Sequence, residues 1–95
     1  MNTIEHQFSW LELMDRPAFC VKDGIVCAAN SAAEQRMVQT GMCVYDIVTE
    51  HRSTYKEFHT GSLFLTITAG ELTYQASVTR TEECDIFTIN QTNED

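Results

Sequence analysis

From Leu63 onward the chain alternates with a period of two. Leu63, Leu65 and Ile67 interleave with Phe64, Thr66 and Thr68, and beyond Ala69-Gly70 the pattern resumes with Leu72, Tyr74, Ala76 and Val78 against Thr73, Gln75, Ser77 and Thr79. Only extended backbone places every second residue on one face, so this part of the chain is committed to strands with one apolar side. The threonine-rich opposite side fits an antiparallel meander with one wet face. Glu82-Glu83 marks a further turn, and residues 84–89 (Cys-Asp-Ile-Phe-Thr-Ile) read as the last strand.

The first half of the chain has a different rhythm. Ile4, Phe8, Leu11 and Met14 recur at helical spacing, widened by Trp10 and Leu13, which predicts an amphipathic helix over 3–15 that Pro17 ends. Two short apolar runs, 18–21 and 25–28, flank Lys22-Asp23-Gly24, and Asp-Gly supplies the positive φ angles of a tight hairpin. Ser31 and Glu34 have the spacing of a capping box, with Asn30 as the other candidate cap. The helix they open is expected to run to about Gln39 and end at Gly41, with Ala33 and Met37 inward and Gln35 and Arg36 outward. A helical turn over 44–48 and a helix over 53–59, closed by Gly61, complete the order: helix, two strands, short helices, three strands.

The length of 95 residues suits a single small domain, divided here into the helix at 3–15, a core at 17–91 and the start of a connector at 92–95. Six Lys and Arg against fourteen Asp and Glu give a net charge of -8, with the cations scattered. Nucleic-acid binding is therefore not expected, because phosphate neutralisation needs a basic face. No apolar run approaches the roughly 20 residues that span a bilayer, and no secretory signal pattern opens the sequence, so no membrane contact and a cytoplasmic location are expected. Cys20, Cys27, Cys43 and Cys84 lack any C-x-x-C spacing, which argues against zinc, iron–sulfur and thioredoxin-like chemistry and for free, mostly buried thiols.

The element order, together with the run Phe19-Cys-Val-Lys-Asp23-Gly24-Ile-Val-Cys-Ala-Ala-Asn30-Ser-Ala32-Ala33-Glu34 and the later Gly41-Met-Cys-Val-Tyr-Asp46-Ile47-Val48, resembles the PAS sensory family. The family often shows a strand, a D-G turn, a strand and an N-x-A-A helix opening, then a glycine before a short aspartate-containing helix. The resemblance covers nearly all of residues 5–91 and implies an α+β fold: a PAS-like five-stranded antiparallel sheet with short helices between strands 2 and 3 and an N-terminal amphipathic helix. Ser31 stands where a proline is common, and Asn90-Gln91-Thr92 replaces the family's frequent D-I-T. The implied function is a cytoplasmic sensory or dimerisation module of a signal-transduction protein, such as a two-component sensor histidine kinase. Such a module couples ligand occupancy or dimer packing to an output domain outside this chain.

No catalytic residues are expected in these residues, since no nucleophile elbow, P-loop or H-E-x-x-H is present. A small α+β enzyme would have to use Asp46 or Glu57 as its base. Haem on His51 or His59 is the cofactor alternative, but the two sit about 12 Å apart along a helix, too far to share a metal. The flavin-binding G-x-N-C-R-F-L-Q stretch is not matched by Gly41-Met42-Cys43-Val44-Tyr45-Asp46, so neither haem nor flavin is expected and no metal site is assigned. A small organic ligand would lie between sheet and helices against Phe19, Val21, Val26, Ala28, Met37, Ile47, Phe58, Tyr74, Ala76, Phe87 and Ile89, with Tyr74 and Cys27 as polar handles. Phe8, Trp10, Leu11 and Met14 are the expected contact of a homodimer.

Overall fold

The computed structural model describes residues 9–49, 52–58 and 61–92. Five strands, β1 (Ala18–Lys22), β2 (Ile25–Ala29), β3 (Ser62–Ala69), β4 (Leu72–Arg80) and β5 (Asp85–Thr92), form one antiparallel sheet in the order β2-β1-β5-β4-β3. Three short helices, α1 (Ser31–Glu34), α2 (Val44–Ile47) and α3 (Arg52–Glu57), lie in the connection from β2 to β3. The fold is α+β. Among the described residues no helix is long and apolar enough to cross a membrane.

The alternation after Gly61 does what its period requires. Leu65, Ile67, Ala69, Tyr74, Ala76, Val78, Phe87 and Ile89 are buried on one face of the sheet, where they join Val44, Ile47, Val48 and Tyr55 from the helical segment in a single core. The last strand runs to Thr92, past the expected Ile89, because β4 continues to pair with it as far as Tyr74. Strand β1 is buried at each of Ala18, Phe19, Cys20 and Val21, since it is central and both its faces are covered. Phe19 and Val21 enter the main core, while Ala18 and Cys20 meet Leu11 on the opposite face, beside Met14, Cys27, Ala28, Cys84 and Ile86.

Asp23 (φ 56) and Gly24 (φ 82) make the expected two-residue hairpin turn. The hairpin's register contains a surprise. Cys20 pairs with Ala28 but Val21 pairs with Val26, so Cys27 is an extra residue, a β-bulge. Strict alternation would put Ala28 on the same face as Val26. The bulge instead turns Ala28, with Cys27, to the outer face and brings Ala29 to the core.

Two helices also differ from expectation for local reasons. Residues 9–13 form a 3₁₀ turn (Ser9–Leu13), and residues 3–8 of the expected helix lie outside the described residues. In an α-helix the Leu11 carbonyl would accept from residue 15; here it accepts from Met14 N at 3.2 Å and Asn30 Nδ2 at 2.9 Å. Helix α1 ends at Glu34 rather than near Gln39. Val38 N donates to Ala33 O (3.1 Å) and Met37 N to Glu34 O (3.0 Å), with Met37 at φ 73, a Schellman closure built on methionine where glycine is usual. The closure rotates Met37 out to 56 % exposure, and Val38 takes the core position expected for it. Gly70 makes room for this, because a Cβ there would lie 2.9 Å from Met37 Cγ.

Candidate functional site

Asn30 is a buried polar residue that joins four pieces of backbone. Its Oδ1 accepts from Ala33 N at 2.9 Å, which caps α1, and from Ala18 N at 3.1 Å, which ties the cap to β1. Its Nδ2 donates to the carbonyls of Leu11 (2.9 Å) and Arg16 (3.0 Å). Both acceptor and donor ends of the amide are therefore in use. Ser31 does not form the expected box with Glu34: its Oγ bonds to Glu12 Oε1 at 3.1 Å, and Asn30 is the cap. The N-terminal turn is thus fastened to the start of α1 twice.

The second polar centre lies at the opposite end of the sheet. Asp85 opens β5 on the same face as Phe87 and Ile89, and Arg80 closes β4 on the same face as Val78, so the short turn between them brings both inward. Arg80 Nε lies 2.8 Å from Asp85 Oδ1 and Nη2 lies 2.9 Å from Oδ2, a bidentate pair. Tyr55 donates its hydroxyl to Oδ2 at 2.7 Å. The remaining guanidinium donors reach back to α3 and its end, Nη1 to Phe58 O (2.6 Å) and Nη2 to Tyr55 O (3.2 Å), while the group sits 4.2 Å from the Phe58 ring centre. Arg80 is a latch that holds α3 against the last two strands.

Burial, and then the Asp85 carboxylate, push the Tyr55 hydroxyl well above its ordinary value near 10. The hydrogen bond to Asp85 likewise raises Arg80, which stays charged. A tyrosine held neutral in the fold contributes stability that is complete below its unfolded value and is lost as pH climbs towards the folded one. Tyr55→Phe is therefore expected to cost about 1.5–2 kcal/mol near neutral pH, a gap that narrows above about pH 10, as urea midpoints of both proteins across that range would report.

Beside the latch opens a cleft of about 340 Å³ between the β1–β2 and β4–β5 turns. Val21, Tyr45, Tyr55, Arg80 and Asp85 line it, with Lys22, Asp23, Thr81 and Glu82 among the residues of its rim. Its volume suits a small molecule.

The interior expected to hold a ligand is occupied by side chains. Phe19 and Phe87 stack at 4.8 Å between centroids, and Tyr55 packs against Phe87 at 5.5 Å. Phe19, Val21, Val26, Ile47, Tyr74, Ala76, Phe87 and Ile89 all lie in this core, with Phe58 packed against it. Ala28 and Met37 do not: the bulge turns the first to the other face and the Schellman closure turns the second to solvent. Of the two expected polar handles, Tyr74 is inside and Cys27 is on the outer face. At the N-terminal turn Leu11 is buried on its own sheet and Met14 is half-buried there, whereas Trp10 is 38 % exposed and Leu13 84 %; Phe8 lies outside the described residues.

His51 and His59 also lie outside the described residues, and among those described no cluster of three or more His, Cys, Asp or Glu is placed to hold a metal. Asp46 and Glu57, the alternative bases, are exposed and do not face the core. All four cysteines are free, but only Cys20 is buried, the others being half-buried, because the N-terminal turn covers just part of the outer face. Burial, reinforced by the neighbouring Cys84, pushes the Cys20 thiol up, and burial raises Cys27 too, which keeps both as thiols at neutral pH.

Tyr55, Arg80 and Asp85 are not among the residues expected from the sequence. For Arg80 and Asp85 a signal lies in the parity of the strands: an arginine and an aspartate, each in phase with buried neighbours and separated by one turn, are placed to pair. A comparison of the sequence with protein-family profiles found no match, and a comparison with curated proteins found none either.

Proposed function

We propose that this chain is a PAS-like sensory and assembly module that passes its state to an output domain of the same signalling protein, for instance a cytoplasmic sensor histidine kinase. The observation that carries the reading is the strand order β2-β1-β5-β4-β3, with every described α-helix inserted between β2 and β3. Three local features support the reading: Asp23-Gly24 turns β1 into β2, Asn30 caps α1, and Asp46 lies in the short α2.

The stacked Phe19 and Phe87 fill the core where a buried ligand would lie, and packing between copies is the input proposed here. A small molecule in the cleft beside Tyr45 and Tyr55 is the other input the geometry allows. It would touch the Arg80–Asp85 latch directly, and hence the seating of α3 on the sheet.

Native mass spectrometry on gently purified protein tests both halves. The expected spectrum is a species at twice the 10.8 kDa chain mass without a bound adduct. An adduct that disappears in Tyr45→Ala would make the cleft a ligand site, and a bare monomer would remove the assembly role.

A further inference from the structure

The two edges of the sheet are treated very differently. At β2 the edge is covered: Val26 exchanges backbone bonds with Met42 O (2.9 Å) and Gly41 N (2.8 Å), Val44 N reaches Gly24 O (2.8 Å), and Ile25 bridges Cys43. The strand is also short and bulged, the usual devices that keep an edge from recruiting another strand. At β3 the covering is partial. Val48 bridges Ile67 and Thr49 Oγ1 lies 3.1 Å from Thr68 Oγ1, but among the described residues no strand or bridge pairs with the outer edge over 62–66.

That open stretch carries none of the protective chemistry. Ser62–Ala69 reads SLFLTITA, with no charge, no proline and no glycine, and Phe64 at its exposed face is 73 % accessible. The adjoining outer face of β4 presents Thr73, Gln75, Ser77 and Thr79, again without charge. On a chain of net charge -8, copies repel one another across charged surfaces, and this neutral edge is a place where that repulsion is weakest.

We propose that the 62–66 edge of β3 pairs with the same edge of a second copy, antiparallel about a two-fold axis through Phe64. Residues directly opposite in an antiparallel pair share a face, so this register sets Phe64 against Phe64 outside, and Leu63 against Leu65 on the core side. Ser62 meets Thr66. Both copies use the same patch, so the contact is isologous and closes as a dimer with a sheet continuous across it. The inference rests on the assembly half of the proposed function and gives the second copy its place.

The test compares wild type with Phe64→Lys and Thr66→Lys, two outer-face changes that leave the core alone, and with Trp10→Glu/Leu13→Glu at the N-terminal turn. Each is run by size exclusion with light scattering at about 5 and 200 µM, with circular dichroism to verify folding. Expected is a wild-type dimer at the higher concentration, at least a tenfold weaker association in either lysine variant, and no change in the Trp10/Leu13 variant. Amide exchange over 62–66 is expected to slow about tenfold between the two wild-type concentrations. A dimer lost only in the Trp10/Leu13 variant, or unchanged in both lysine variants, would overturn the β3 contact and leave the assembly reading standing. A wild-type monomer at both concentrations would overturn the two together.

Discussion

Asn30→Leu is expected to lower the unfolding free energy by about 4 kcal/mol or more, because a residue of nearly the same size removes four hydrogen bonds together. Loss of the cap alone costs about 1 kcal/mol. The larger part comes from Ala18 N and the Leu11 carbonyl, which are held in a buried setting and would be left without their side-chain partner. A domain of this length has on the order of 5–14 kcal/mol in total, so the loss removes from about a third to most of it. Urea denaturation followed by circular dichroism measures this directly. A change below about 1 kcal/mol would mean that the N-terminal turn is not fastened through this amide.

Removing the carboxylate at the other end of the sheet should have the second-largest effect. Asp85→Ala leaves the Tyr55 hydroxyl without its acceptor and Arg80 without its counter-charge, at an expected cost of about 2–4 kcal/mol. The figure is held below that of a fully buried pair because the Arg80 side chain is 25 % exposed. Replacing both partners, Arg80→Leu with Asp85→Leu, should be much less damaging than either single change, since no charge is then left uncompensated. A double-mutant cycle reading a coupling of about 2 kcal/mol would fit the latch, and additive losses would show that the pair contributes only through packing.

Much of the sheet was legible because its information is local. The Asp-Gly turn and the Leu63-to-Val78 alternation each fix geometry within a few residues, and the structure follows them. The errors fall where geometry depends on a distant partner. Nothing in Val26-Cys27-Ala28 announces a bulge, so strand parity alone puts Ala28 on the core face, one residue out of step with the structure. Gly41 looked like the end of the first helix, yet Met37 takes the left-handed position because Gly70, in another hairpin, leaves it room. Over 9–13, the described part of the helix expected at 3–15, the chain forms a tighter turn in which the Leu11 carbonyl also accepts from the Asn30 amide. Tyr55 and Asp85 meet across 30 residues, a separation that propensity and periodicity do not reach.

The central position of β1 has a consequence for how the chain is made. Its hairpin partner β2 leaves the ribosome a few residues behind it, but its other neighbour, β5, follows about 65 residues later. Until then, the strand whose residues Ala18, Phe19, Cys20 and Val21 are all buried in the finished fold has one unpaired side. The nascent chain must carry that open flank until then, and the sheet can close only when its last strand emerges.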